Sequence, residues 1–164
     1  HYAAFAGRLD LVKEWVANKT LTDIRAITPQ SFVIAAAGSG DTALVQFFLD
    51  LGEDINAQAL PLKWDVMRYE CSALHEAVQM DKSDMIRYLV RHNAIPDAKD
   101  GSEETPLYLA ARQGKTDCAI ALIEGGADPK IGFQGELPVK CAADYSHPET
   151  ATAMEAAIAK RAQK

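Results

Sequence analysis

Cys71 and His75 stand four residues apart, a spacing that puts two side chains on one face of a helix. With a third ligand such a pair could hold zinc, and with a base it could yield a reactive thiolate. Neither a third ligand nor a base adjoins it. The remaining cysteines, Cys118 and Cys141, form no C-x-x-C, and an odd total of three argues for thiols rather than a disulfide framework. Gly38-Ser39-Gly40 lacks the lysine and spacing of a phosphate-binding loop. His147 beside Glu149 reads as a solvated pair, and Asn18-Lys19-Thr20 as a glycosylation sequon that matters only in a secretory context. No recognisable motif places two carboxylates for acid–base chemistry. Asp97, Asp100, Glu103 and Glu104 form an acidic run that reads as a solvated loop tip or a contact for a basic surface. These residues predict no catalytic, cofactor or metal site, and therefore a protein that is not an enzyme.

What the sequence does carry is repetition. His1-Tyr2-Ala3-Ala4-Phe5-Ala6-Gly7, Ala36-Ala37-Gly38-Ser39-Gly40-Asp41, Ser72-Ala73-Leu74-His75-Glu76-Ala77-Val78 and Thr105-Pro106-Leu107-Tyr108-Leu109-Ala110-Ala111 share one template. The glycine that closes it, or its substitute, recurs at 7, 40, 81 and 114, at intervals of 33, 41 and 33. A unit of this size cannot bury its own apolar face and must stack on copies of itself. Within one unit, Thr105 suits a helix N-cap and Pro106 the first turn. Leu107, Ala110 and Ala111 form an i, i+3, i+4 stripe, and Gly114 permits the positive φ that ends the helix. A second helix follows from Lys115 to Ile123, stopped by Gly125-Gly126.

Composition excludes several classes. The chain has 164 residues, 48% hydrophobic and 24% charged, with a net charge of −6. That balance argues against nucleic acid, whose phosphates need a basic stripe. No apolar run approaches the ~18 residues needed to span a membrane. The compartment stays open between cytoplasm and bacterial periplasm. The start at His1, without Met, fits a trimmed or exported chain.

The template resembles the ankyrin repeat, with its T-P-L-H-x-A core and period of about 33 residues. Thr105-Pro106-Leu107-Tyr108 matches with Tyr for His, Ser72-Ala73-Leu74-His75 keeps the His, and Leu137-Pro138-Val139-Lys140 keeps the Pro. Gly52-Glu53-Asp54-Ile55-Asn56-Ala57 and Gly125-Gly126-Ala127-Asp128 resemble the family's G-A-D-V-N-A. The resemblance implies an all-α solenoid of stacked antiparallel helix pairs joined by short β-hairpin loops. It divides the chain into five units of one domain, near 1–26, 27–59, 60–98, 99–130 and 131–164. It implies that His75 hydrogen-bonds neighbouring turns. The last helix, from about Pro148 to Lys160, reads as a polar C-terminal cap through Glu149, Thr150, Thr152, Glu155, Lys160 and Arg161.

The interval of 41 places eight extra residues within 58–71. This insertion is apolar where a surface loop is usually polar, holding Leu60, Leu62, Trp64, Val66, Met67 and Tyr69. It reads either as a lid folded back on the array or as a binding finger. Partners of ankyrin proteins meet hairpin tips and the exposed faces of first helices. By register, the candidate protein-binding residues are Leu62, Trp64, Met67, Tyr69, Glu76, Gln79, Met80, Ser102, Glu104, Arg112, Gln113, Phe133, Gln134, Glu136, Asp144 and Tyr145. Gly38 and Ser39 map to the same face. The expected function is protein binding by a chain that is a monomer on its own, with no membrane or nucleic-acid partner. A sharper form is an inhibitor or immunity protein of a partner enzyme; the alternative is a targeting or scaffolding domain of a larger enzyme or bacterial effector.

Overall fold

A computed structural model describes residues 9–16, 31–58 and 70–163 of the chain. Among these residues lie nine helices: α1 (Leu9–Val16), α2 (Phe32–Ser39), α3 (Thr42–Asp50), α4 (Ala73–Gln79), α5 (Ser83–Arg91), α6 (Pro106–Arg112), α7 (Thr116–Glu124), α8 (Pro138–Asp144) and α9 (Pro148–Ala162). All but α9 are at most nine residues long. Isolated helices that short are unstable in water, so packing must hold them. The sequence repeat becomes four helix pairs, α2/α3 to α8/α9. Each first helix packs on the next, α2 on α4, α4 on α6 and α6 on α8; the second helices α5, α7 and α9 stack likewise.

The helix ends follow from local chemistry. Thr105 Oγ1 accepts the Tyr108 amide at 3.2 Å, with Pro106 at the start of α6. Asp41 caps α3 by accepting the Ala43 and Leu44 amides. Each first helix is followed by a residue at positive φ: Gly40 (81°), Asp81 (55°), Gly114 (67°) and Ser146 (66°). Asp81 and Ser146 bear side chains in this left-handed conformation, so the turn imposes it even without glycine. At the loop before α8, Phe133 and Glu136 exchange backbone hydrogen bonds of 3.0 and 2.9 Å around Gln134-Gly135.

Small residues set the spacing of the stack. Ala36, Ala77, Ala110 and Ala142 are each 0% exposed. They let the first helices approach closely, while Phe48, Leu44, Leu74, Met85, Ile86, Leu89, Leu107, Leu122, Ile123 and Met154 fill the interior. Ala110→Leu is therefore expected to overpack the α6 contacts and cost about 1–3 kcal/mol. An unchanged chemical denaturation midpoint would refute this.

The last pair departs from the expected cap in one respect. Thr150 is not a polar surface residue: it is 0% exposed and shares a 2.7 Å hydrogen bond with Thr116. Its hydroxyl is satisfied by α7, the second helix of the preceding pair, which is what lets it sit inside. Glu149, Thr152, Glu155 and Lys160 remain exposed. Arg161 reaches back to the Ile123 and Ala127 carbonyls at 2.8 and 2.7 Å, serving the C-terminus of α7.

A candidate protein-binding surface

The loops before the first helices are tied in series. Asn56 accepts the Ile95 amide at 2.8 Å and donates to the Asn93 carbonyl at 3.2 Å. Asp97 accepts the Asp128 amide at 2.9 Å, the same staple one unit later. Asp100 accepts the Ser102 and Glu104 amides, both at 2.9 Å. The Gly101 amide donates to the Glu70 carbonyl at 2.7 Å, fixing the end of the inserted segment against this loop. The acidic run of the sequence is therefore partly consumed in holding turns rather than left as a free charge patch.

The fourth position of the template makes the joints between pairs. His75 Nδ1 accepts the Ser72 amide at 3.3 Å and lies 2.8 Å from Ser72 Oγ. Its Nε2 must then carry the proton, which it donates to the Glu104 carbonyl at 3.1 Å. Both ring nitrogens are thus engaged in hydrogen bonds within the stack. In the next unit Tyr108 replaces the histidine and its hydroxyl donates to Glu136 at 2.7 Å. Burial, then the Cys141 and Glu136 side chains, pushes the Tyr108 phenol far above its ordinary range. Burial likewise raises the Cys141 thiol, and burial with the Asp81 carboxylate 3.4 Å away pushes Cys118 up to about 12. Both thiols are held protonated at neutral pH, the opposite of an activated nucleophile. Among the described residues no three His, Cys, Asp or Glu side chains are grouped to hold a metal.

The predicted contact residues fall into three groups. Gln79, Gln134, Asp144 and Tyr145 are exposed, Tyr145 to 53%. Met80, Ser102, Arg112, Gln113, Phe133 and Glu136 are half-buried. Glu76 and Glu104 are buried, at 4% and 8% exposure. The register expected an open face at Glu76, and the structure closes it. Glu104 is neutralised by Arg112, whose Nη2 donates to it at 2.8 Å; Arg112 Nε is buried without a hydrogen-bond partner. Gln113 donates to Gln79 at 2.9 Å, joining successive first helices at the surface. Phe133 packs on Tyr108 at 5.5 Å, beside the Glu136 hydrogen bond. Asp144 lies 3.9 Å from Lys140. On the same face Gly38 is buried and Ser39 donates to the Ala36 carbonyl. Leu62, Trp64, Met67 and Tyr69 lie outside the described residues, as do Gly7 and the sequon at Asn18.

Two residues omitted by the register stand out. Leu137 is 47% exposed and the Lys140 side chain 71%; Lys140 lies on α8 with Asp144, and Leu137 and Tyr145 flank that helix. The signal was present: a leucine occupies the cap position where Thr105 and Ser72 stand in other units, and it makes no side-chain cap. His147 is not the solvated partner of Glu149 expected from sequence. Its ring sits over Gly114, in space that a Cβ on that residue would fill.

Stacked helix pairs with stapled loops define a solenoid whose framework is built by repeating residues and whose surface is left to the variable ones. Comparison with known proteins agrees. A profile described as ankyrin repeats (three copies) matches residues 1–100, and a single ankyrin-repeat profile matches residues 102–132. The chain belongs to the ankyrin-repeat family, whose members are in general non-catalytic protein–protein interaction modules. It is similar to the human 2-5A-dependent ribonuclease, 34% identical over 89 residues, covering 54% of this chain and 11% of that protein. It also matches the Caenorhabditis elegans ankyrin repeat and KH domain-containing protein mask-1, 28% identical over 129 residues, 79% of this chain and 5% of that one. With the Drosophila melanogaster palmitoyltransferase Hip14 it shares 38% identity over 72 residues, 42% of this chain and 11% of that one. The chain thus spans about a tenth or less of the length of these relatives. Among the described residues no helix is long and apolar enough to cross a membrane.

Proposed function

We propose that this chain is a non-enzymatic module that binds a partner protein through its hairpin tips and the open faces of its first helices. The five units near 1–26, 27–59, 60–98, 99–130 and 131–164 act as one domain. Leu62, Trp64, Met67 and Tyr69 of the insertion form an added anchor. The observation that supports this reading is the exposure at the two ends of α8, where Leu137 precedes the helix at 47% and Tyr145 follows it at 53%, next to exposed Asp144. Tyr145 stands at a variable position and Leu137 replaces a capping residue without capping, and tyrosine is a residue type that dominates interfaces. Gln79, Gln113 and Gln134 supply polar contacts around it, and Met80, Phe133 and Arg112 supply partly covered anchors. A preformed framework of this kind binds as a rigid body and loses little conformational entropy on association.

In its sharper form the partner is an enzyme, and the chain inhibits it by covering the active site. The small share of its relatives that the chain spans favours a second reading, a targeting or scaffolding segment within a longer protein. Affinity capture with mass spectrometry, followed by assay of the captured partner with and without the chain, separates the two.

Tyr145→Ala and Trp64→Ala are each expected to weaken the captured complex by about 2 kcal/mol or more, roughly thirtyfold. Tyr145→Ala should leave stability within about 0.5 kcal/mol, as for an exposed site. A Trp64→Ala variant that loses melting temperature and keeps affinity would make the insertion a lid. Unchanged affinity in both variants would refute the proposed surface.

A further inference from the structure

The joints between successive pairs differ in their chemistry. Among the described first helices the bridging position holds Ile34, His75, Tyr108 and Lys140. Ile34 is buried and makes an apolar contact, Tyr108 is tied to Glu136, and the Lys140 side chain is 71% exposed. His75 alone among them is an imidazole, 2% exposed, and it joins α4 to the loop that starts α6. We propose that the joint between the α4/α5 and α6/α7 pairs opens on mild acidification, with His75 as the proton acceptor that breaks it.

The geometry carries the argument. A proton added to Nδ1 removes the acceptor used by the Ser72 amide and turns the ring into a donor toward Ser72 Oγ, 2.8 Å away, so the amide at the start of α4 loses its half of the reciprocal cap. It also places a cation in a site closed to water. The groups around it act as follows. Asp100 and Glu104, on the adjoining loop, attract the proton, and Glu104 is already paired with Arg112 of α6. Tyr108 of α6 is held protonated. Glu76 follows His75 on its own helix. The α2 helix has no titratable side chain. On α5, Asp84 and Arg91 are exposed, and Arg87 pairs with Asp84 and Glu124.

Burial outweighs this pull and holds His75 below the ordinary imidazole value of 6.5. The closed joint therefore binds fewer protons than the open one. Above pH 6.5 both forms are neutral and the joint has its full stability. As pH falls through that value the open form is protonated first, and closure weakens until the lowered value is passed.

Hydrogen exchange of the full chain, corrected for intrinsic rates, tests this at pH 7.5 and 5.0. Opening across residues 99–112 should rise by up to about thirtyfold at pH 5.0, the ceiling set by an exposed imidazole. Residues 138–144, which carry lysine at the corresponding position, serve as the internal reference. His75→Gln keeps a donor and an acceptor without titrating, and should abolish the pH dependence. Protection at 99–112 that ignores pH, or an equal loss in His75→Gln, would overturn the proposal. An NMR titration of the unmodified chain decides the matter without a variant. It should show neutral His75 with the proton on Nε2 at pH 7.5, and a titration that tracks the loss of protection. A charged imidazole at pH 7.5, or a titration unrelated to the exchange, would overturn it.

Discussion

Gly114→Ala is expected to destabilise the C-terminal half severely, for two separable reasons. Gly114 adopts φ +67°, where a Cβ costs about 1–2 kcal/mol. The same Cβ would meet the His147 ring, with Cγ only 2.6 Å away. His147 immediately precedes α9 and its amide donates to the Ala142 carbonyl, so its backbone is held and the ring must leave its place by rotating about its own side-chain torsions. Overpacking of this kind adds about 1–3 kcal/mol. For a chain of this size each kcal/mol lowers the melting temperature by roughly 2–4 °C. Gly126→Ala is the control, since φ is +105° there but nothing lies within 4 Å of the added carbon. Adding His147→Ala to the Gly114 variant should recover the steric part and leave the backbone part. A loss in Gly114→Ala that the added His147→Ala leaves unchanged would show that the ring contact contributes nothing.

Phe48→Ala should cost more, about 3–5 kcal/mol, because a 2% exposed aromatic leaves a cavity that short helices cannot collapse. Phe48 stacks on Phe32 at 5.1 Å and meets Phe47 edge-on at 5.6 Å, tying α3 to α2. The damage should be local. In a stack each unit contacts only its neighbours, so stability is a sum of unit and interface contributions. Amide protection should collapse in α2 and α3 and persist in α7 to α9. Uniform loss across all helices would show a single cooperative unit instead, and an unchanged melting curve would show that the site had repacked.

Much of the architecture was legible because the backbone makes the same demands in every unit. Alanine recurs where first helices touch, and Ala36, Ala77, Ala110 and Ala142 are all fully buried. The positive-φ turn after each first helix was legible at 40, 81 and 114, even where aspartate stands in for glycine. At Ser146 the register places the closing residue after Asp144 and Tyr145, but no residue type signals its positive φ. The candidate surface was legible in part. Positions just before the closing residue do reach solvent at Gln79, Asp144 and Tyr145. Glu76 does not, although nothing in its own heptad distinguishes it from an exposed glutamate. Sequence alone marks His147 and Thr150 as solvated cap residues; one lies over Gly114 and the other bonds Thr116.

The chain's own pattern therefore determined the period, the helix pairs, their ends and the small residues at their contacts, because these are local requirements of backbone geometry repeated along the sequence. Only the stacked structure decided which polar side chains are spent in the joints and which face water. Glu104 goes to Arg112, Tyr108 to Glu136 and Thr150 to Thr116, whereas Tyr145 is left exposed. Most of these partners stand about one repeat apart in sequence and meet only when units stack. Whether a side chain is covered is set by the neighbour's shape as much as by its own type.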